Sequence, residues 1–320
     1  MAWTDIFPHL SEEMLDDYEA SVTPTEKQEL TSYFSVRETH NAQPLKKHIV
    51  STCLFWKDSH LANPDLPTPS KDRLLKAARY GLVKRVHPWY NYIEPLLLHT
   101  PSARNRHPDI SFVLYLAADM KFLLPDLVSA GWEVRLMEHS SIRSSPGMLW
   151  RFMALAEEDS LITCIDSDRI SDLDGEIART QVMGESGLGC WRVPAYYNQD
   201  IHKGKVNYRP MLGGHFGAKG GIEIELLLKA FIWHSQKGSM PTQAEVPGCM
   251  PLPINATDWP DYGFDEWFLM TAIYPRLAFE GILTFMPTDA KSLIMPIDIE
   301  YVTWANPDSE IVPFNVGGCC

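Results

Sequence analysis

The sequence predicts an α/β protein with a largely parallel β-sheet that is covered by helices on both faces. Short apolar runs typical of buried strands alternate with segments of helical spacing through the first half of the chain. The strand-like runs are His48–Trp56, Phe112–Ala117, Trp132–Glu138 and Ser160–Asp166. This alternation is typical of right-handed crossover units, which build parallel sheets. Ligands of such sheets bind beyond the carboxyl ends of the strands, so a site is expected at that edge.

Segments of helical spacing predict the helices that cover the sheet. They are Asp72–Val86, Met120–Ala130, Gly147–Glu158, Gly220–Ser235 and Phe264–Leu277. Residues 1–44 are predicted to form an N-terminal helical extension, because Ser11-Glu-Glu-Met and Thr23-Pro-Thr-Glu resemble capped helix starts. The remaining residues, 45–320, are predicted to form one domain.

The bulk composition narrows the class of protein. The chain has 320 residues, 45% of them hydrophobic, and a formal charge of −13. A net negative charge disfavours a wide phosphate-binding surface, so no nucleic-acid partner is expected. The acidic start lacks the features of a signal peptide, and no apolar run reaches the roughly 18–20 residues that span a bilayer. Six cysteines without regular spacing agree with a cytoplasmic protein that has no transmembrane segment.

An acidic pair, Asp166 and Asp168, follows the last of the apolar strands. Because alternate residues of an extended segment point the same way, both carboxylates are expected to face one ion. Hard oxygen ligands suit Mn²⁺ or Mg²⁺, which keep positions open for substrate phosphates. The alternative is that the two aspartates only cap a turn. A second triplet, Asp172-Leu-Asp174, lies in a polar stretch and is predicted to start a surface helix.

Two further segments share an order and spacing with this acidic strand. They are Tyr208–Gly221, with the pattern Gly-Gly-x-aromatic-Gly-Ala-Lys, and Tyr262–Pro275, a helix start with Asp265 and Glu266. Together with the Arg151-Phe152 helix and its acidic strand, they resemble the GT-A-fold glycosyltransferases that carry a DxD motif. The resemblance covers roughly residues 48 to 275 and implies a Rossmann-like, mixed, mainly parallel sheet. It also implies metal-dependent transfer of a sugar from a UDP- or GDP-linked donor to a hydroxyl acceptor such as a glycan.

The resemblance implies which residues contact the donor. Those residues are Leu54, Arg79, Tyr80, Arg151, Asp166, Gly213 and Gly214. Leu54 would lie at the edge of the nucleotide pocket, with Arg79 and Tyr80 near the base and ribose. Arg151 would reach the diphosphate, since a guanidinium matches phosphate oxygens, although a surface ion pair with Glu157 or Glu158 is the alternative. Gly213 and Gly214, together with Gly217, would let the backbone approach the sugar.

The resemblance also implies the metal ligands and the catalytic residues. Asp166 would face the donor ribose or the ion, and Asp168 would bind the ion. His215 is a candidate third ligand, or else a hydrogen-bonded structural residue. Asp265 or Glu266 would accept the proton of the acceptor hydroxyl if the enzyme inverts, and would only orient the acceptor if it retains. The helix dipole is a structural alternative for this acidic pair.

Two other classes remain open from the sequence. One is a nucleotide-sugar or glycan-binding module without turnover. The other is a phosphatase that forms an aspartyl-phosphate on a strand-borne Asp-x-Asp motif. Such phosphatases usually place Thr or Val two residues after the second aspartate, where this chain has Ile170.

Overall fold

The computed structural model describes residues 9–55, 89–139, 146–184, 186–191, 213–240, 264–277, 282–287 and 309–314. Within these ranges the chain forms one mixed β-sheet flanked by helices, as the α/β prediction requires. The strands are β1 (Val36–His40), β2 (His48–Leu54), β3 (Ile110–Leu116), β4 (Glu133–Met137), β5 (Leu161–Ile165), β6 (Leu188–Trp191), β7 (His215–Lys219), β8 (Ile282–Pro287) and β9 (Ser309–Phe314).

The strand order is β1-β4-β3-β2-β5-β7-β6-β8-β9. The four strands β4, β3, β2 and β5 run parallel, which confirms the predicted parallel core. Strand β7 runs antiparallel to β5, so its beginning lies beside the carboxyl end of β5. That reversal brings the segment before β7 to the edge of the sheet where ligands of parallel sheets bind.

The described residues also form ten α-helices and five short 3₁₀ or π segments. The α-helices are α1 (Glu12–Ser21), α2 (Pro24–Phe34), α3 (Glu94–Leu98), α4 (Thr100–Arg106), α5 (Leu124–Ala130), α6 (Gly147–Trp150), α7 (Leu173–Gln181), α8 (Ile224–Lys237), α9 (Phe264–Phe268) and α10 (Tyr274–Leu277). The 3₁₀ helices are Ala118–Leu123, Arg151–Ala156 and Ser167–Asp172, and the π segments are Trp89–Ile93 and Leu269–Ile273. The predicted helix Asp72–Val86 lies outside the described residues.

The two predicted helix starts near the N-terminus are confirmed. The Ser11 hydroxyl accepts a hydrogen bond from the backbone N–H of Met14 at 3.3 Å and begins α1. Thr23 and Glu26 form a reciprocal capping box at the start of α2. These side chains satisfy N–H groups that have no partner within the helix, which is why the helices begin there.

The N-terminal segment also contributes a strand, which the predicted helical extension over residues 1–44 did not include. Its last part forms β1, which pairs antiparallel with β4. Helix α1 packs on α8, where the His234 ring lies 2.7 Å from the backbone oxygen of Met14. The backbone N–H of Leu10 donates to the carbonyl of Thr271 at 2.9 Å. Sequence spacing alone did not show β1, because a short edge strand with charged residues lacks a hydrophobic pattern.

The core consists of two layers of side chains, one on each face of the sheet. On one face, Phe152 packs against Phe216 of β7, with ring centroids 5.9 Å apart. On the other face, Phe112 of β3 meets Trp132 at 5.8 Å. The 3₁₀ helix Arg151–Ala156 therefore covers the first face. Helix α7 covers the second, where the Thr163 hydroxyl donates to the Thr180 hydroxyl at 2.7 Å.

Candidate functional site

The candidate site lies at the carboxyl end of β5. That strand is buried from Ile162 to Ile165, and Asp166 follows it with an extended backbone (φ −71°, ψ 144°). The chain then turns at once into the 3₁₀ helix Ser167–Asp172. The apolar strand holds Asp166 at the edge, while 42% of its side chain stays exposed to solvent.

Arg151 joins the separate segments of the site. Its Nη1 atom lies 3.1 Å from Oδ1 of Asp166, and its Nη2 atom lies 2.5 Å from Oδ2 of Asp265. Its Nε–H donates to the carbonyl oxygen of Gly213 at 2.7 Å. We call Arg151, Asp166 and Asp265 the Arg151 triad. The structure thus brings together four residues that the resemblance assigned to the site.

The burial of Arg151 rules out the alternative of a surface ion pair. Only 4% of its side chain is exposed, and Glu157 instead pairs with Arg135 at 3.2 Å. Burial alone would lower the pKa of Arg151, but the Asp166 carboxylate and other negative neighbours raise it above its ordinary value. Arg151 is therefore a fixed positive charge, which two carboxylates and a carbonyl oxygen compensate.

Gly213 and Gly214 leave room for the side chains of the Arg151 triad. A Cβ atom on Gly213 would lie 2.5 Å from Oδ2 of Asp265. A Cβ atom on Gly214 would overlap the Asp166 carboxylate, at 2.7 Å from the Cβ of that residue. Both distances are shorter than any real contact of a Cβ atom. In this structure a side chain at either glycine would displace the side chains of the Arg151 triad.

Asp168 lies in the 3₁₀ helix and its side chain is exposed. The expectation that Asp166 and Asp168 alternate along an extended segment was wrong, because the extended backbone ends at Asp166. Asp166 precedes the 3₁₀ helix and Asp168 lies within it, so strand alternation does not set the relative direction of their side chains. Among the residues that the structure describes, no three His, Cys, Asp or Glu side chains form a group that could hold a metal ion.

His215 lies on the face of the sheet opposite to Asp166. It pairs with Ile165 in the ladder between β5 and β7, and paired residues share a face while their neighbours point the other way. Its Nδ1 atom is 2.7 Å from Oε1 of Glu176 on α7. Gly217 shares this face, since a Cβ there would lie 2.6 Å from the Thr180 hydroxyl. The structure therefore does not bring His215 or Gly217 together with the Arg151 triad.

The remaining predicted residues lie at the same edge or outside the described ranges. Glu266 follows Asp265 in the first turn of α9 and is half-buried. Leu54 ends β2, beside β5, with a buried side chain. Arg79 and Tyr80 lie outside the described residues.

Sequence reasoning missed one neighbour of the triad and one buried carboxylate. Nη1 of Arg151 lies 3.7 Å from the sulfur of Cys53. Burial raises the pKa of the Cys53 thiol, so Cys53 is uncharged. Glu176 is 2% exposed, although it lies in a polar stretch. The available signal was helical spacing, since Glu176 falls with Leu173 and Thr180 on one face of α7.

The site has the charge to attract a cation. The Arg151 triad carries two carboxylates and one guanidinium, a formal charge of −1, and Asp168 adds a further carboxylate in the 3₁₀ helix that follows Asp166. Asp166 keeps an exposed carboxylate although Arg151 contacts one of its oxygens. These hard oxygen donors suit Mn²⁺ or Mg²⁺ if phosphate oxygens and water complete the coordination shell.

No helix in the described part of the chain is long and apolar enough to cross a membrane. Comparison with protein-family models, with curated proteins and with solved structures gives no match to the chain. The function is therefore argued from the geometry of the site.

Proposed function

We propose that the chain is a metal-dependent glycosyltransferase of the GT-A type. It would move a sugar from a UDP- or GDP-linked donor to a hydroxyl acceptor such as a glycan. The donor would bind at the carboxyl end of β5, next to the Arg151 triad.

One observation carries the proposal. Arg151, Asp166, Gly213 and Asp265 come from three separate segments of the sequence, and the resemblance implies one site for all four. They meet at the edge of a parallel sheet, where ligands of such folds bind. A shared structural role alone would not require the acidic residues to remain partly exposed, as Asp166 is.

The reaction breaks the bond between the sugar's anomeric carbon and the diphosphate and forms a bond to the acceptor oxygen. A divalent ion held by Asp166 and Asp168 would neutralise the charge of the leaving diphosphate. Asp265 lies at the start of α9 and, in an inverting enzyme, would take the proton that the acceptor hydroxyl loses. In a retaining enzyme it would orient the acceptor only.

Arg151 has a role in this arrangement that does not depend on reaching the donor. It holds Asp166 and Asp265 by opposite ends of one planar guanidinium group. This holds the Asp166 carboxylate, proposed for the donor side, at a fixed position relative to the Asp265 carboxylate, proposed for the acceptor side. Such preorganisation keeps reacting groups aligned without cost at the moment of reaction.

A thermal-shift screen tests the proposal. The full chain is heated with each of several UDP- and GDP-sugars, with Mn²⁺ or with EDTA. A donor that binds the folded state raises the unfolding temperature, and here the rise should require Mn²⁺. Stabilisation by a donor without any subsequent hydrolysis or transfer would favour a binding module instead. Absence of stabilisation by every donor would contradict the proposal.

A further inference from the structure

On the face of the sheet opposite to the Arg151 triad lies a second set of charged side chains, and two of the four are buried. We call Asp172, Glu176, Arg179 and His215 the Glu176 cluster. Oε1 of Glu176 forms an ion pair with Nη2 of Arg179 and lies 2.7 Å from Nδ1 of His215. Nη2 of Arg179 also lies 3.1 Å from Oδ2 of Asp172.

Glu176 is the centre of this cluster and is negatively charged. Burial alone would raise its pKa, but the hydrogen bond with His215 and the charge of Arg179 outweigh it and lower the pKa. A buried carboxylate is stable only when its partners keep their positions. The cluster therefore constrains every segment to which its members belong.

Two of those segments flank the proposed metal site. Asp172 ends the 3₁₀ helix that begins directly after Asp166 and carries Asp168. His215 begins β7 and directly follows Gly214, the residue that faces the Asp166 carboxylate. Through Arg179 and Glu176, the end of the 3₁₀ helix Ser167–Asp172 is joined to the start of β7.

The packing around the cluster leaves little freedom for adjustment. The Thr180 hydroxyl accepts from Thr163 of β5 at 2.7 Å and donates to the backbone oxygen of Glu176 at 3.0 Å. Gly217 of β7 approaches the same hydroxyl so closely that a Cβ atom would overlap it. Helix α7 is thus held against both strands, and a shift of the cluster would shift the edge that bears Asp166 and Asp168.

We infer that the Glu176 cluster positions the turn of Asp166 and Asp168 for the divalent ion, and that His215 acts through Glu176 rather than as a ligand. This inference rests on the proposed function. The members of the cluster are positioning residues, comparable to the outer-shell partners of metal ligands, whose loss typically costs 10–100-fold in metal affinity.

The chain offers a matched pair of variants on the second Asp-x-Asp triplet. Asp172 pairs with Arg179 inside the cluster, whereas Asp174 pairs with Arg106 at 2.7 Å outside it. The substitutions Asp172→Asn and Asp174→Asn make the same chemical change two residues apart. A second pair is His215→Asn, which keeps an N–H donor near the position of Nδ1, and His215→Leu, which has none.

The experiment measures the binding of UDP, and separately of GDP, by calorimetry on the full-length chain, with Mn²⁺ and with EDTA. We expect Asp172→Asn and His215→Leu to weaken the binding seen with Mn²⁺ by about 10–100-fold. In EDTA every variant should still unfold in one cooperative thermal transition, as the wild type does, which a general loss of structure would not allow. Asp174→Asn and His215→Asn should behave as the wild type.

The other outcomes distinguish the inference from the function. If the wild type binds with Mn²⁺ and Asp172→Asn binds equally well, the inference is wrong while the proposed function stands. If His215→Asn is as weak as His215→Leu, the imidazole itself is required and the positioning role of His215 is wrong. If His215→Leu fails to fold, the comparison of Asp172→Asn with Asp174→Asn alone tests the inference. If neither diphosphate binds the wild type with Mn²⁺, the proposed function and the inference both fail.

Discussion

Nη2 of Arg151 lies 2.5 Å from Oδ2 of Asp265, although 114 positions separate the two residues in the sequence. The contact is almost fully enclosed, since 4% of the Arg151 side chain and 17% of the Asp265 side chain are exposed. One ion pair therefore links the strand edge of the proposed donor site to the helix of the proposed acceptor site.

Replacement of Arg151 should destabilise the fold more than loss of a surface arginine. Arg151→Met leaves Asp166, Asp265 and a carbonyl without their donor, and breaking a buried pair costs about 3–5 kcal/mol in the free energy of unfolding. Arg151→Lys keeps the charge but not the planar fork, and should cost about 1–3 kcal/mol. Urea unfolding measures the loss of stability in both variants.

The control is Arg106→Met. Arg106 is an exposed partner of Asp174, and its replacement should cost no more than about 1 kcal/mol. Equal losses for Arg151→Met and Arg106→Met would contradict the role given to Arg151.

The position of the site could be predicted from the sequence more fully than its geometry. The apolar strand before Asp166 was visible in the sequence, and strand ends mark the ligand edge of parallel sheets. The 3₁₀ turn that carries Asp168 was not visible, because no local signal separates it from a continued extended segment. The contact of Arg151 with Asp265 depends on long-range packing, which spacing along the chain does not encode.

The face on which His215 lies shows the same limit. Alternation along a strand is simple to count, but the two faces can be assigned only when the pairing partner is known. His215 pairs with Ile165 and so points away from Asp166. The burial of Glu176 could not be predicted from its polar surroundings in the sequence. A polar stretch usually lies on the solvated surface, but here it supplies a buried carboxylate.

Gly214→Ala should disrupt the site while the fold is kept. The added methyl group overlaps the Asp166 carboxylate and must displace it. We expect a loss of stability of about 1–3 kcal/mol, together with loss of Mn²⁺-dependent donor binding. Thermal shift with and without donor measures both effects.

The matched control for this variant is Gly238→Ala. Gly238 ends α8 with a φ of +72°, so alanine there is strained and lowers stability without touching the site. Donor binding should survive in Gly238→Ala. If Gly214→Ala also kept full donor binding, Asp166 would not be part of the site.

His48 should make the stability depend on pH. Nε2 of His48 lies 2.8 Å from the Thr163 hydroxyl. Because that hydroxyl donates its own hydrogen to Thr180, Nε2 must carry the hydrogen and donate it to Thr163. The other ring nitrogen, Nδ1, is buried and has no hydrogen-bond partner among the described residues. Burial, with a smaller contribution from His107, lowers the pKa of His48 to about 4. Because the folded pKa lies below the unfolded value, the unfolded chain takes up the proton first as the pH falls. Stability is therefore lost between about pH 6.5 and pH 4, by about 3 kcal/mol.

The comparison of His48→Gln with the wild type checks this dependence. Urea unfolding at several pH values should show a flatter profile between pH 6.5 and pH 4.5 for His48→Gln, because glutamine does not titrate. Glu176, whose pKa is lowered, contributes stability that is lost only as the pH falls further. An unchanged profile in His48→Gln, as in the control His99→Gln at an exposed position, would contradict the assignment.

The most direct test of the central claim is Mn²⁺-dependent hydrolysis of the sugar nucleotide that stabilises the chain, measured for the wild type, Asp168→Asn and Asp174→Asn. We predict that the wild type and Asp174→Asn hydrolyse the donor with Mn²⁺ and stop in EDTA. Asp168→Asn should lose more than about 100-fold in rate with its unfolding temperature unchanged, since even loss of an outer-shell partner of a metal ligand costs 10–100-fold. Full activity of Asp168→Asn, or hydrolysis that EDTA does not affect, would contradict the claim that the aspartates after β5 hold the ion.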